Sequence, residues 1–243
     1  MPPIDPAAAH DDRPFHVHLT GFGPFGPYAT NPSWEAVRRL DGLILAADPS
    51  TSTSSPPTPP RSSSRPIRLT ASLLPVTYSA CTALVPALHH AVPKPDLIVH
   101  VGVGLAGSVR LEQRARKWGY EKRDVDGELG PLEERGKRRG CAGEELRGVA
   151  EELRTQVAGE KVVDFLRRSG VEHVGLSEGA GLYLCEYTFY SSLAAALLAD
   201  PSSPTPVQFV HVPPLGQPYT LDDLIGILQL TVWAIVNEGG LPL

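Results

Sequence analysis

Cys185 is the residue whose setting most invites chemistry. It stands in Gly179-Ala180-Gly181-Leu182-Tyr183-Leu184-Cys185-Glu186-Tyr187, small residues that follow an apolar run and lead into a helical pattern. A thiol at a helix start lies at the positive end of the backbone dipole, which favours the thiolate and hence nucleophilic attack. A buried structural thiol is the alternative that residue type alone leaves open. His211 stands at the end of a second apolar run, Val207 to Val212, with Pro213-Pro214 beyond it. In open α/β sheets, groups that act on ligands gather at the carboxyl ends of strands, so His211 is a candidate base. Glu112 follows a third apolar run and its glycine loop, within reach of the same edge. Thiol, imidazole and carboxylate are the nucleophile, base and orienting acid of a cysteine hydrolase.

Other residues compete for attention. Gly21-Phe22-Gly23-Pro24-Phe25-Gly26 and Gly102-Val103-Gly104-Leu105-Ala106-Gly107 both satisfy the dinucleotide-binding spacing, and Glu121 and Asp124 lie where a ribose-binding acid would follow the second. Pro24 and Pro27 remove backbone donors from the first loop, and no helix pattern directly follows either. Phe22 and Phe25, on a loop stiffened by Pro24, either line a slot for a small flat ring or anchor the loop in the core. His16 and His18 share a strand face with no carboxylate or thiol ligand nearby, so they read as structural and no metal site is expected. Cys81, on an apolar helix, and Cys141, in a charged loop, suggest no chemistry, and His100 reads as a core histidine.

The elements that must position these groups alternate along the chain. Strands are expected at 15–20, 68–75, 96–101, 171–176 and 207–212. Helices are expected from Asn31-Pro32 to Leu40, and at 78–91, 160–168, 183–198 and 221–236. Residues 121–150 read as a charged loop region, with the Glu144 to Arg154 part as a solvated helix. Residues 1–14 read as a loose tail, and 48–66, nearly all Ser, Thr and Pro, as a disordered insertion. Strand and helix in alternation imply a single α/β domain, 15–243, in three α/β/α layers around a central, mostly parallel, twisted sheet.

Composition bounds the function. The chain has 243 residues, is 42% hydrophobic, and carries a net charge of −5. It can bury a core, and it has no basic surplus for a nucleic-acid partner. No stretch approaches the ~20 apolar residues a bilayer requires, and the N-terminus lacks the pattern of a secretory signal. The odd number of widely spaced cysteines suits a reducing cytoplasm.

Four blocks then resemble one family. They are TGFGPFG leading into NPSWEAV (Thr20 to Val37), HVGVGLAGSVRLEQRARKWGY (His100 to Tyr120), SEGAGLYLCEYTFYSSL (Ser177 to Leu193) and FVHVPPLGQPYT (Phe209 to Thr220). In order and content they are similar to the pyrrolidone-carboxylate peptidases, the pyroglutamyl-peptidase I family of cysteine peptidases, in its eukaryotic form. The resemblance implies hydrolysis of an N-terminal pyroglutamyl residue from small peptides. It places the nucleophile on Cys185, the histidine on His211, the glutamate on Glu112 and the aromatic pair around the ring on Phe22 and Phe25. It also implies no cofactor and a monomer. The Ser/Pro insertion and the charged stretch after Tyr120 have no counterpart in it. Two alternatives remain: a nucleotide-binding oxidoreductase on the glycine loops, and a catalytically silent relative that binds pyroglutamyl peptides.

Overall fold

The computed structural model describes residues 13–26, 29–51, 64–133 and 135–241. In chain order the elements are β1 (Phe15–Phe22), α1 (Pro32–Val37), β2 (Ile44–Leu45), β3 (Ile67–Leu74), α2 (Tyr78–Leu88), β4 (Leu97–Val103), β5 (Val109–Glu112), β6 (Arg114–Arg116), β7 (Leu132–Glu133), β8 (Arg138–Arg139), β9 (Glu152–Arg154), α3 (Gly159–Arg168), β10 (Val174–Ser177), α4 (Leu184–Ala199), β11 (Val207–Val212) and α5 (Leu221–Asn237). Seven strands form one sheet in the order β10-β5-β11-β4-β1-β3-β2.

The middle of this sheet is parallel: β3, β1, β4 and β11 run the same way. Its strands β4 and β11 are continuously apolar and buried, because helices cover both faces. The flanks are not parallel to it. β5 and β10 pair parallel with each other, but β5 runs antiparallel to β11, and β2 runs antiparallel to β3. The sheet is therefore mixed, with a parallel centre that carries the carboxyl edge.

Helices α1, α3 and α5 cover one face, over Val17, Leu19, Leu69, Val99, Val101 and Val210. Helices α2 and α4 cover the other, over Phe22, Leu74 and Phe209. Local chemistry starts the helices. Asn31 accepts the Ser33 amide at 3.0 Å with Pro32 at the first helical position, Thr77 accepts the Ala80 amide at 3.2 Å, and Thr220 and Asp223 form a reciprocal capping box.

Three expectations are corrected. The helix expected over Glu144 to Arg154 is absent: Glu144–Leu146 is a single 3-10 turn, Gly148 takes φ +85°, and Glu152–Arg154 is a strand paired with β6. Leu153 points inward while Glu152 and Arg154 point out, a period of two that the charge run masked. The fourth expected strand begins at Val174, not Val171. Glu112 lies within a strand, β5, that was not anticipated. The ends of the expected insertion are anchored, Pro49–Thr51 as a 3-10 turn and Arg65 by its amide to Asn237 Oδ1 at 2.9 Å; residues 52–63 lie outside the described residues. Of the expected tail, residues 1–12 also lie outside them, and Arg13 forms a two-pronged ion pair with Asp96.

Candidate active site

The site is built where β4 and β11 end and α4 begins. β11 brings His211 level with Gly102 on β4 and with Arg110 on β5. The imidazole is nearly buried and its Nδ1 lies 2.7 Å from Glu112 Oε1. An ionised carboxylate only accepts, so Nδ1 carries the hydrogen and Nε2 is left as an acceptor. Gln208 Nε2 donates to the Glu112 carbonyl at 2.9 Å and holds the strand carrying the acid. Glu112 Oε2 is buried without a hydrogen-bond partner, so a positive charge arising on the imidazole would be well received.

Cys185 occupies the first turn of α4, directly over Gly102: a Cβ built on Gly102 would lie 2.9 Å from Cys185 Sγ and 2.9 Å from the Phe209 ring. Gly102 lets the helix start descend onto the sheet at the level of His211. Gly104 does the same beside the imidazole, where an added Cβ would meet His211 Cβ and Cγ at 3.0 Å. Close packing accounts for these glycines. No helix follows the second loop, because β5 begins at Val109. Asp124, the candidate ribose acid, instead accepts the amides of Tyr78, Asp126 and Glu128 at 2.9, 3.0 and 2.9 Å. In the first loop, Gly21 lets α1 approach, since a Cβ there would lie 2.7 Å from Trp34 Cα. Glu121, the other candidate acid, faces the Arg139 guanidinium at 3.8 Å, so the dinucleotide reading keeps neither its helix nor its acids.

The residue Cys185 is half-buried, but its sulfur is packed inside. Burial, then Cys81 and Glu112, push the thiol up to about 12, against the opposing pull of its own backbone amide. The resting sulfur is therefore protonated, and a pre-formed thiolate is not what this setting favours; a base must take the proton as the sulfur attacks. Tyr183, the residue capping α4, offers no side-chain bond to the helix start, which leaves first-turn amides open beside the sulfur.

The turn before Cys185 is strained and held from outside. Gly181 and Leu182 take φ of +99° and +47°, and the left-handed region costs a leucine about 1 kcal/mol. Glu186, completely buried, accepts the Leu182 amide at 2.9 Å, and Arg116 grips the same carboxylate through Nε at 2.7 Å, Nη2 at 2.9 Å and its amide at 3.1 Å. Burial alone would raise the Glu186 carboxyl, but these bonds outweigh it and hold it below the usual range. The sequence did not single out Arg116 and Glu186. Seventy residues separate them, and the one available signal was a glutamate directly after the cysteine at a helix start.

Phe22 is buried and Phe25 half-buried, both packed in the aromatic cluster of Tyr78, Tyr120, Tyr187 and Phe209 that also holds Cys185. Cys81 and Cys141 are buried in that cluster, bonded to Thr188 and Ser191. His16 and His18 bond Thr70 and Ser72, while His100 bonds Thr20 at 2.7 Å with its second nitrogen unpartnered. Among the described residues no group of His, Cys, Asp and Glu is arranged to hold a metal ion, and no helix is long and apolar enough to cross a membrane.

A mixed α/β sheet with a cysteine at a helix start and a histidine paired with a buried carboxylate defines a class, that of proteins equipped for cysteine-dependent hydrolysis. Comparison narrows it. The pyroglutamyl peptidase family model matches residues 15–68. The chain is 32% identical over 226 residues to pyroglutamyl-peptidase 1 of Rattus norvegicus and of Homo sapiens, covering 91% of this chain and 88% of each relative. Its fold is similar to that of a mutant pyrrolidone carboxyl peptidase from Pyrococcus furiosus, with a TM-score of 0.71 at 20% identity over 92% of this chain and 99% of that one. The Bacillus amyloliquefaciens pyroglutamyl peptidase I is also similar, with a TM-score of 0.67 over 89% and 94%. The chain belongs to the pyroglutamyl-peptidase family.

Proposed function

We propose that this protein is a cysteine peptidase that hydrolyses the N-terminal pyroglutamyl residue from peptides. One observation carries the reading: the His211–Glu112 pair at 2.7 Å, on the strand level with Gly102, over which Cys185 Sγ sits. Nε2 of His211 takes the thiol proton as Sγ attacks the pyroglutamyl carbonyl. Open amides of the first turn of α4 receive the oxyanion. The imidazolium, held by Glu112, hands its proton to the departing amine, and His211 then activates water to cleave the thioester. The ring has no free amine, so an apolar slot between Phe22 and Phe25 accepts it, whereas burying an unpaired ammonium there would be costly. Phe22 is the more buried of the two and Phe25 the more exposed, which supports Phe22 as the inner wall of that slot and Phe25 as the outer. The presence of a thiol, an imidazole and a carboxylate supports turnover over a catalytically silent relative. We further assign the protein to the cytoplasm, in keeping with three free thiols, and read it as a monomer from the family resemblance.

The test is release of a fluorescent amine from a pyroglutamyl amide. Wild type is expected to release it, Cys185→Ala to lose at least ~10³-fold in kcat/KM with its thermal transition retained, and a thiol-alkylating agent to abolish release. Wild-type rates in Cys185→Ala would overturn the assignment.

A further inference from the structure

Arg110 has no part in the chemistry above, yet it lies beside it. On β5 it stands directly opposite His211, and directly opposed residues of antiparallel strands share a face. The point where a Cβ of Gly104 would sit is 2.9 Å from Arg110 Nη2 and 3.0 Å from His211 Cγ, so guanidinium and imidazole flank one small volume. Among the described residues the guanidinium makes one hydrogen bond, Nη2 to the Leu105 carbonyl at 3.0 Å, and forms no ion pair with a carboxylate. Four of its five N–H donors remain for other partners. Its neighbour on the far side, Gly175 of β10, has open space where a side chain would be. Glu112, two residues along β5, is buried and engaged with His211, so it does not neutralise Arg110.

The loop holding Leu105 is tied down. Gly104 donates its amide to Val212 at 2.8 Å and Gly107 donates to Gln217 at 3.0 Å. The rim beside Arg110 is formed by exposed Leu105, and Leu215 stands in the loop stitched to it. An arginine held at a loop carbonyl, half-exposed, and unmatched by any acid among the described residues is placed to receive an anion.

Resting on the peptidase reading, we infer that Arg110 is a specificity residue for the leaving-group side of the substrate, binding a carboxylate on the residue that follows pyroglutamate. His211 must give its proton to the departing amine, so the residue bearing that amine lies alongside His211 and hence beside Arg110. The carboxylate comes either from an acidic side chain or from the free C-terminus of a dipeptide; both present the same planar pair of oxygens to the guanidinium.

Three substrates separate these sources: pyroglutamyl-alanine amide with no carboxylate, pyroglutamyl-alanine with the terminal one, and pyroglutamyl-glutamate amide with the side-chain one. Wild type is expected to cleave one or both acids about five- to tenfold better, in kcat/KM, than the neutral amide, the scale of a single charge-assisted bond at a half-exposed site. Arg110→Gln brings the ratio to about one, Arg110→Glu inverts it, and Arg110→Lys keeps part of it. Added salt compresses the wild-type ratio. Equal ratios in wild type and Arg110→Gln, or a wild-type preference for the neutral amide, would overturn the inference while leaving the peptidase reading intact. Failure of wild type to cleave all three would defeat the peptidase reading itself. Arg110→Lys keeps the test decisive if Arg110→Glu does not fold.

Discussion

The two faces of the central sheet are packed by different chemistry. Under α1, α3 and α5 the interior is chiefly valine, leucine and isoleucine, with Phe15, Phe165 and Trp233 as the buried aromatic exceptions. Under α2 and α4 it is aromatic and polar. Tyr78, Tyr120, Tyr187 and Tyr190 pack with Cys81 and Cys141, and with Thr188, Ser192, His89 and His100 among them. The tyrosines meet edge-on: Tyr78 and Tyr187 at 5.1 Å, Tyr120 and Tyr187 at 5.3 Å. Cys185, His211 and Glu112 all belong to this second face. The aliphatic face buries few polar side-chain atoms, among them Thr231, bonded to the Ile227 carbonyl, and the unpartnered Trp233 Nε1. The aromatic face must also satisfy polar atoms, and it leaves some unsatisfied, including His89 Nδ1, His100 Nε2 and Glu112 Oε2. Both faces bury a core, but the thiol, imidazole and carboxylate lie on the aromatic one, with the sheet holding the two in register.

That contrast can be broken from either side. The largest effect is expected from Arg116→Met, which strands the Glu186 carboxylate in the interior. It should lower stability by about 3–5 kcal/mol and also reduce kcat, because the strained turn before Cys185 loses its anchor. Chemical denaturation and single-turnover kinetics measure both, and a loss of stability with kcat intact would show that Glu186 only supports the fold. Next comes Leu228→Ala, on α5 of the aliphatic face. A cavity there should cost ~2–4 kcal/mol in denaturation while kcat/KM stays at the wild-type value, and a large fall in kcat/KM would mean the faces are not separable. Gly102→Ala places a methyl group 2.9 Å from Cys185 Sγ. It should lower kcat/KM by about tenfold or more with a stability cost of roughly 1–3 kcal/mol.

The smallest effect concerns acid. Burial lowers His18 and His89 to about 4, and holds His100 well below its ordinary value. The unfolded chain binds these protons near pH 6.5 while the folded chain does not. Stability therefore falls as the pH drops from about 6.5 toward 4, and the loss comes from the aromatic face. His89→Gln, which removes one of these groups while keeping a donor for Ser192, should flatten the dependence of Tm on pH in that window. An unchanged slope would place the acid sensitivity elsewhere.

The parallel centre of the sheet was legible because its strands are short apolar runs between helical patterns, and Val207–Val212 was read to the residue. The same pattern put His211 near the carboxyl end of its strand, but Cys185 follows β10, which runs against β11, so the turn leading into α4 and not a shared strand edge brings its sulfur over Gly102. What escaped notice was short or non-local. β5 has four residues after a glycine loop, β6 and β9 have three each, and a pairing partner rather than any local pattern makes them strands. Arg116 and Glu186 meet only in three dimensions, and the glutamate after Cys185 carries no sign of which arginine it pairs with. The glycine spacing misled for a related reason: a backbone that lets a sulfur or an imidazole approach closely needs the same missing Cβ as one that cradles a phosphate.

The proposed chemistry turns on acylation of Cys185. Mixing the protein with a pyroglutamyl ester, quenching in acid within the first turnover, and mapping the digest by mass spectrometry shows which residue carries the acyl group. A mass gain of one pyroglutamyl acyl group is expected on the peptide containing Cys185, and none on peptides containing Cys81 and Cys141. Turnover of the ester with Cys185 unmodified throughout, or with the acyl group on another residue, would contradict it.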